Sequence, residues 1–204
     1  MKRIAITPRR DCYPARDETR DALDTRLAAR LWSWGFLPQP LASGVSDTDA
    51  YLTALAPEGF LLSGGNDIGS IPERDALETA ALRYAATHCL PVVGICRGLQ
   101  MINHYQGGEL RTIVGHAATT HAVSGPLTGS RSQRVNSYHG LGVYSDTLGA
   151  DLAPLAWAED GSIEALRHTT LPWLGIMWHP ERDTPTHATD QALITTLLNQ
   201  GSLL

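Results

Sequence analysis

Along the first half of the chain, short apolar runs at residues 4–6, 60–62 and 92–95 alternate with amphipathic stretches at 21–34, 73–88 and 100–105. That alternation predicts βα units, with strands gathered in a mainly parallel sheet and helices packed on its faces. Within the second stretch, Ala76, Leu77, Ala80, Ala81, Tyr84 and Ala85 form a stripe at helical spacing. Asp47, with Ser46 as competitor, is placed to cap a shorter helix running to Leu55. From about Gly107 the texture changes, and polar, glycine-bearing segments separate apolar runs at 134–135, 155–158, 163–166 and 174–178. These predict shorter strands that complete the sheet or extend it antiparallel, before a last amphipathic helix at about 189–198. The expectation is an α/β fold with a doubly wound, mainly parallel sheet flanked by helices and a small antiparallel extension. With no repeat and no low-complexity linker, residues 1–204 read as a single domain.

Composition narrows the class. Hydrophobic residues make up 43% of the chain and charged residues 18%, a globular balance that excludes disordered, collagenous and disulfide-scaffold proteins. A net charge of -5 offers no basic footprint for nucleic acid. No apolar segment approaches the roughly 18 residues of a membrane span, and the opening MKRIAITPRR lacks the apolar core of a secretion signal, so a cytoplasmic protein is expected. Cys12, Cys89 and Cys96 cannot all pair and lack CxxC spacing, which favours reduced thiols.

Candidate chemistry centres on Cys96. An apolar strand runs into Gly94-Ile95-Cys96-Arg97-Gly98 and then straight into a helix, the pattern of a nucleophile elbow. Small residues at Gly94 and Gly98 permit the sharp turn, and the helix amides are expected to lower the thiol pKa and to supply a donor for an oxyanion. Taken alone, the same residues equally fit a buried cysteine ending a core strand. The balance changes with His179 and Glu181, two residues apart after another apolar strand, with Pro180 favouring extended backbone at His179. Glu181 is then placed to orient one imidazole nitrogen while the other faces a nucleophile. A third strand ends in Ser63-Gly64-Gly65-Asn66-Asp67. The Gly65 N–H, together with the Arg97 N–H, is a candidate oxyanion hole, although an ordinary turn uses the same residues.

These motifs, with Gln100 and Val135-Asn136-Ser137-Tyr138-His139, resemble the class I glutamine amidotransferase-like family, in particular its gamma-glutamyl hydrolase branch. The resemblance implies a flavodoxin-like α/β fold, Cys96 as nucleophile, His179 as acid and base, and Glu181 as orienter. It also implies that Gly64, Gly65, Arg97, Gln100 and the chain through Asn136, Ser137, Tyr138 and His139 hold the glutamyl group and the oxyanion. Within the branch, SGGND, VNSYHG, AEDGSIEAL and GIMWH most resemble gamma-glutamyl-CDP-amidate hydrolases, which release glutamate and cytidine diphosphoramidate for decorating surface polysaccharides. The alternatives are a gamma-glutamyl-gamma-aminobutyrate hydrolase and a glutaminase subunit feeding ammonia to a separate synthetase. No cofactor is implied. The expected partner is a small gamma-glutamyl substrate linked to a nucleotide, with a homodimer as a further possibility.

Fifteen of the 16 basic residues are arginine, and Arg9, Arg10 and Arg16 cluster directly after the first predicted strand. That loop belongs at the carboxyl edge of the sheet beside Cys96, which makes them candidates for the phosphates of the leaving group, against a solvated surface paired with Asp11, Asp17 and Glu18. His116, His121 and His139 read as loop histidines, since no carboxylate or thiolate cluster accompanies them in sequence, and no metal ligand set is assigned. Residues 107–132 join the elbow helix to the strand before Asn136 and are a candidate lid.

Overall fold

Each apolar run in the first half has a strand's two-residue period hidden inside it. Ile4 and Ile6 face one hydrophobic cluster and Ala5 the other; Phe60 and Leu62 face the second cluster and Leu61 the first. A strand that buries both faces in this way needs helices on both sides. In the computed structural model, which describes residues 1–202, it has them.

The elements follow as β1 (Arg3–Thr7), β2 (Arg9–Tyr13), β3 (Glu18–Ala22), α1 (Thr25–Ser33), β4 (Leu37–Pro40), α2 (Thr48–Leu55), β5 (Gly59–Leu62) and α3 (Pro72–His88). Then come β6 (Val92–Ile95), α4 (Arg97–Tyr105), β7 (Arg111–Thr112), β8 (Thr119–Gly125), β9 (Gly129–Ser137) and β10 (Leu141–Gly142). The chain closes with β11 (Leu152–Ala158), β12 (Ile163–His168), β13 (Trp173–Ile176) and α5 (Ala188–Gln200). Nine strands form one sheet in the order β4-β1-β5-β6-β13-β12-β11-β8-β9. The first five pair in parallel, and the remaining four extend the sheet antiparallel. Side chains of α2, α3 and α4 fill one core, while those of α1 and α5 fill the other. The fold is the doubly wound α/β sheet that the sequence predicts.

Several boundaries differ. The amphipathic stretch 21–34 is helical only from Thr25, because the Asp24 side chain accepts from the Arg26 amide and caps the helix there. Residues ahead of it form the β2–β3 hairpin, paired from Arg9 with Ala22 to Tyr13 with Glu18. Asp47 caps α2 by accepting from Ala50 N at 3.0 Å, as expected. The candidate lid at 107–132 contributes β7, β8 and the start of β9 to sheet structure.

Candidate active site

Parallel strands deliver their carboxyl ends to one edge, and the loops leaving β1, β5, β6 and β13 meet there. The strand order reverses between β1 and β5, since β4 lies outside β1 while β5, which follows it in sequence, lies on the inner side. Such a switch point opens a crevice in a doubly wound sheet. Here the crevice is a cleft of about 290 Å³ lined by Arg9, Ser63, Gly64, Gly65, His179 and Arg182, among others.

Cys96 stands between β6 and α4 with φ +53° and ψ -104°, a region that non-glycine residues rarely occupy. The turn is possible because Gly94 and Gly98, two residues to either side, carry no side chains. A Cβ on Gly98 would lie 2.3 Å from the Leu62 carbonyl oxygen, so α4 and β5 approach as closely as backbone allows. Across the cleft a Cβ on Gly64 would lie 2.9 Å from His179 Cε1 and 3.6 Å from Cys96 Cβ. Those contacts put the nucleophile candidate, the imidazole and the glycine corner around one small space.

The His179 ring and the Cys96 side chain share the space over Gly64, and His179 Nδ1 lies 2.7 Å from Glu181 Oε1. All three residues are buried. Burial pushes the imidazole pKa down, but Cys96 and Glu181 outweigh it and carry His179 up to about 9. The Asn136 carboxamide fixes its backbone twice, with Oδ1 accepting from His179 N and Nδ2 donating to His179 O, both at 2.9 Å. The Tyr138 ring lies edge-on to His179 at 5.7 Å, and the Arg182 guanidinium lies over Tyr138 at 4.2 Å.

Beneath the glycine corner, fully buried Arg74 donates to the carbonyls of Ser63, Gly64 and Gly65 at 2.7, 3.1 and 2.6 Å. It also pairs with Glu78, which in turn pairs with Arg97 and accepts from Thr7 Oγ1. Desolvation brings even the Arg74 guanidinium down to about 10. With those carbonyls turned inward, the Gly65 N–H and the Arg97 N–H donate to no acceptor among the described residues. Two unspent amides beside a cysteine are what an oxyanion requires.

The other sequence candidates divide. Gln100 donates to the Leu141 carbonyl at 3.0 Å, and Ser137 Oγ donates to the His116 carbonyl, so both side chains brace the segment instead of facing the cleft. Of the three clustered arginines only Arg9 lines the cleft. Strand alternation sends its neighbour Arg10 the other way, to Glu73 at 2.9 Å, and Arg16 sits in the turn of the β2–β3 hairpin. Arg182, which no sequence motif singles out, lines the cleft in their place. Arg74 is equally silent as a motif, although Arg74, Leu77, Glu78 and Ala81 share one helical stripe, a sign that these two charges point inward.

The histidines need correction. His116, His121 and His139 are not separate loop residues, because β8, β12 and the turn after β9 bring them together around Glu164, itself almost wholly buried. Burial raises the Glu164 pKa, but the His121 and His139 rings outweigh it and hold the carboxyl down at about 2. The acidic partner is hidden in IEALRH, where it looks like one polar residue of an apolar strand.

Residues 33–181, most of the chain, match the Peptidase C26 family. The chain belongs to the peptidase C26 family, in the class I glutamine amidotransferase-like group. Gamma-glutamyl-CDP-amidate hydrolase of Campylobacter jejuni is 32% identical over 88% of this chain and 90% of its own length. Anthranilate synthase component 2 of Pseudomonas putida is 36% identical over 66% of this chain and 71% of its own. In structure, a glutamine amidotransferase from Thermotoga maritima superposes with a TM-score of 0.66 at 14% identity, covering 98% of this chain and 90% of that one. This C26 member therefore shares its fold with glutamine amidotransferase-type proteins, and its relatives include a hydrolase. No helix among its described residues is long and apolar enough to cross a membrane.

Proposed function

We propose that this protein hydrolyses a gamma-glutamyl amide through Cys96, His179 and Glu181, with gamma-glutamyl-CDP-amidate as its substrate. The observation that carries the reading is His179, beside Cys96 at the glycine corner and hydrogen-bonded to Glu181, in a cleft with two unspent backbone amides. The relative in Campylobacter jejuni supplies the substrate class.

The Cys96 sulfur, as thiolate beside the imidazolium, attacks the side-chain carbonyl carbon of the glutamyl group. Negative charge moves to the carbonyl oxygen, which the Gly65 and Arg97 amides receive. Collapse breaks the C–N bond, and the His179 proton goes to the departing nitrogen, leaving a glutamyl thioester. The neutral imidazole then takes a proton from water, whose oxygen attacks the thioester. Glutamate leaves, and sulfur and imidazolium are restored. Glu181 keeps the ring oriented throughout, and Asn136 holds the backbone that carries it. Outside the glutamyl pocket, Arg9 and Arg182 face the leaving group, where guanidinium groups suit a pyrophosphate.

A second reading, a glutaminase subunit that passes ammonia to a separate synthetase, draws on the likeness to anthranilate synthase component 2. Glutamate release by the purified protein alone separates the two, comparing gamma-glutamyl-CDP-amidate, gamma-glutamyl-gamma-aminobutyrate and glutamine with Cys96→Ala as blank. Preference for the CDP-amidate is the expected result. Arg9→Ala should then raise KM about tenfold for that substrate, the loss of one charge-assisted contact of about 1.5 kcal/mol, while sparing glutamine. Preference for the aminobutyrate conjugate, or silence until a synthetase is added, overturns the proposed substrate.

A further inference from the structure

The histidine cluster around Glu164 has an unresolved balance of donors and acceptors. His139 Nδ1 lies 3.1 Å from the Leu141 carbonyl, and His116 Nε2 lies 3.2 Å from Asp160 Oδ2. Both outer partners are acceptors, so each ring must place its hydrogen on the outer nitrogen. The inner nitrogens, His116 Nδ1 and His139 Nε2, then face each other bare at 3.3 Å. They also face Glu164 Oε1 at 3.4 and 3.5 Å. On the far side His121 Nε2 lies 3.2 Å from Glu164 Oε2, yet the two are not aligned, and both are buried without a hydrogen-bond partner among the described residues. The nearby Ser162 hydroxyl gives its shorter bond, at 2.7 Å, to Asp160.

Lone pairs gathered in this way need a positive charge between them. A proton bridges two atoms along one line, whereas these contacts run in several directions. A metal ion serves them together. Tetrahedral zinc with bonds of about 2.0–2.2 Å sets its donors roughly 3.3–3.6 Å apart, and His116 Nδ1, His139 Nε2 and Glu164 Oε1 lie 3.3–3.5 Å from one another. His116, His121 and Glu164 can each present one atom with all three inside 4.8 Å, and His139 Nε2 adds a fourth donor beside two of them. The outer carboxylate and carbonyl are the partners that fix the tautomer of a ligating histidine.

We propose that His116, His121, His139 and Glu164 bind one divalent transition-metal ion of zinc's type. Imidazole nitrogens with a single carboxylate favour such an ion over magnesium or calcium, which take oxygen ligands. The ion fastens β8 and β12 to the segment that carries Asn136, so it is a structural clamp behind the cleft and takes no part in the acyl transfer. It stands or falls separately from the hydrolase reading.

Chelator-treated Cys96→Ser protein titrated with Co2+ tests it. One equivalent should give the intense visible bands of a four-coordinate nitrogen and oxygen site, bleached by one equivalent of Zn2+, and Zn2+ should raise Tm. His121→Ala and Glu164→Gln should each weaken zinc binding at least tenfold. No bands in the Cys96→Ser protein overturns the proposal without recourse to the cluster variants. Thiolate charge-transfer absorption, which would place cobalt on Cys12 or Cys89, overturns it too, as does undiminished affinity in both variants.

Discussion

At the scale of single residues, the decisive quantity is the charge on His179. Its pKa rises from 6.5 to about 9 because Cys96 and Glu181 overcome burial. A raised value stabilises the folded state fully below about 6.5, and that contribution is lost as pH climbs through about 9. Cys96 and Glu181 both raise the pKa. Removing sulfur in Cys96→Ala should therefore move the imidazole midpoint down, as followed by NMR titration of the ring. An unmoved midpoint would mean that the pair with Cys96 does not set the charge. Glu181→Gln should leave the fold intact but lower kcat by about 10²- to 10⁴-fold, since the wrong tautomer is then favoured. A loss confined to KM would instead assign Glu181 to substrate binding.

At the scale of elements, the Gly64-Gly65 corner depends on a helix that the local sequence gives no reason to connect with it. Arg74 reaches back from the first turn of α3 to three carbonyls after β5, while Glu78 joins α3 to β1 and α4. Arg74→Met leaves Glu78 and those carbonyls short of a donor in the interior, a loss of about 3–5 kcal/mol. For a chain of this length that lowers Tm by roughly 6–20 °C. Arg83→Ala, which breaks an exposed pair with Asp49, should cost under about 1 kcal/mol. Similar losses in thermal denaturation would show that the buried network does not brace the corner. The contrast explains what was legible. β5, β6 and α3 stand out because their burial writes a local period into the chain, and the elbow and His179-Pro180-Glu181 are local too. The β2–β3 hairpin is charged and solvent-facing, so no apolar alternation marks it. β4 carries two prolines, which an edge strand tolerates and a sequence scan penalises. The Asn136 clamp and the Glu164 cluster are contacts across 43 and 25 to 48 positions respectively, set by sheet order and written in no local spacing.

At the scale of the whole molecule, a net charge of -5 works against the anionic substrate proposed here, whose binding requires the cleft to reverse that field locally. The sheet supplies the means: its switch point brings Arg9, from the end of β1, and Arg182, from the turn after β13, to one mouth. Asp11 and Asp24 share that mouth, but Arg9 engages the first at 2.7 Å and Arg26 the second at 2.6 Å. A pyrophosphate entering there must compete with Asp11 for Arg9 while Arg182, 3.9 Å from Glu181, is less committed. Attraction of this kind acts over a Debye length, about 10 Å at 0.1 M salt and about 3 Å at 1 M. Raising salt from roughly 0.1 to 1 M should therefore increase KM for a nucleotide-linked gamma-glutamyl amide several-fold, with kcat little changed. Glutamine, whose leaving group is ammonia, should show no such rise in KM. Arg182→Ala should flatten the salt dependence for the nucleotide substrate more than Arg9→Ala, because Arg9 is already paired with Asp11. Parallel curves for both substrates would mean that the mouth reads only the glutamyl end, and the arginines would then have no part in choosing what leaves.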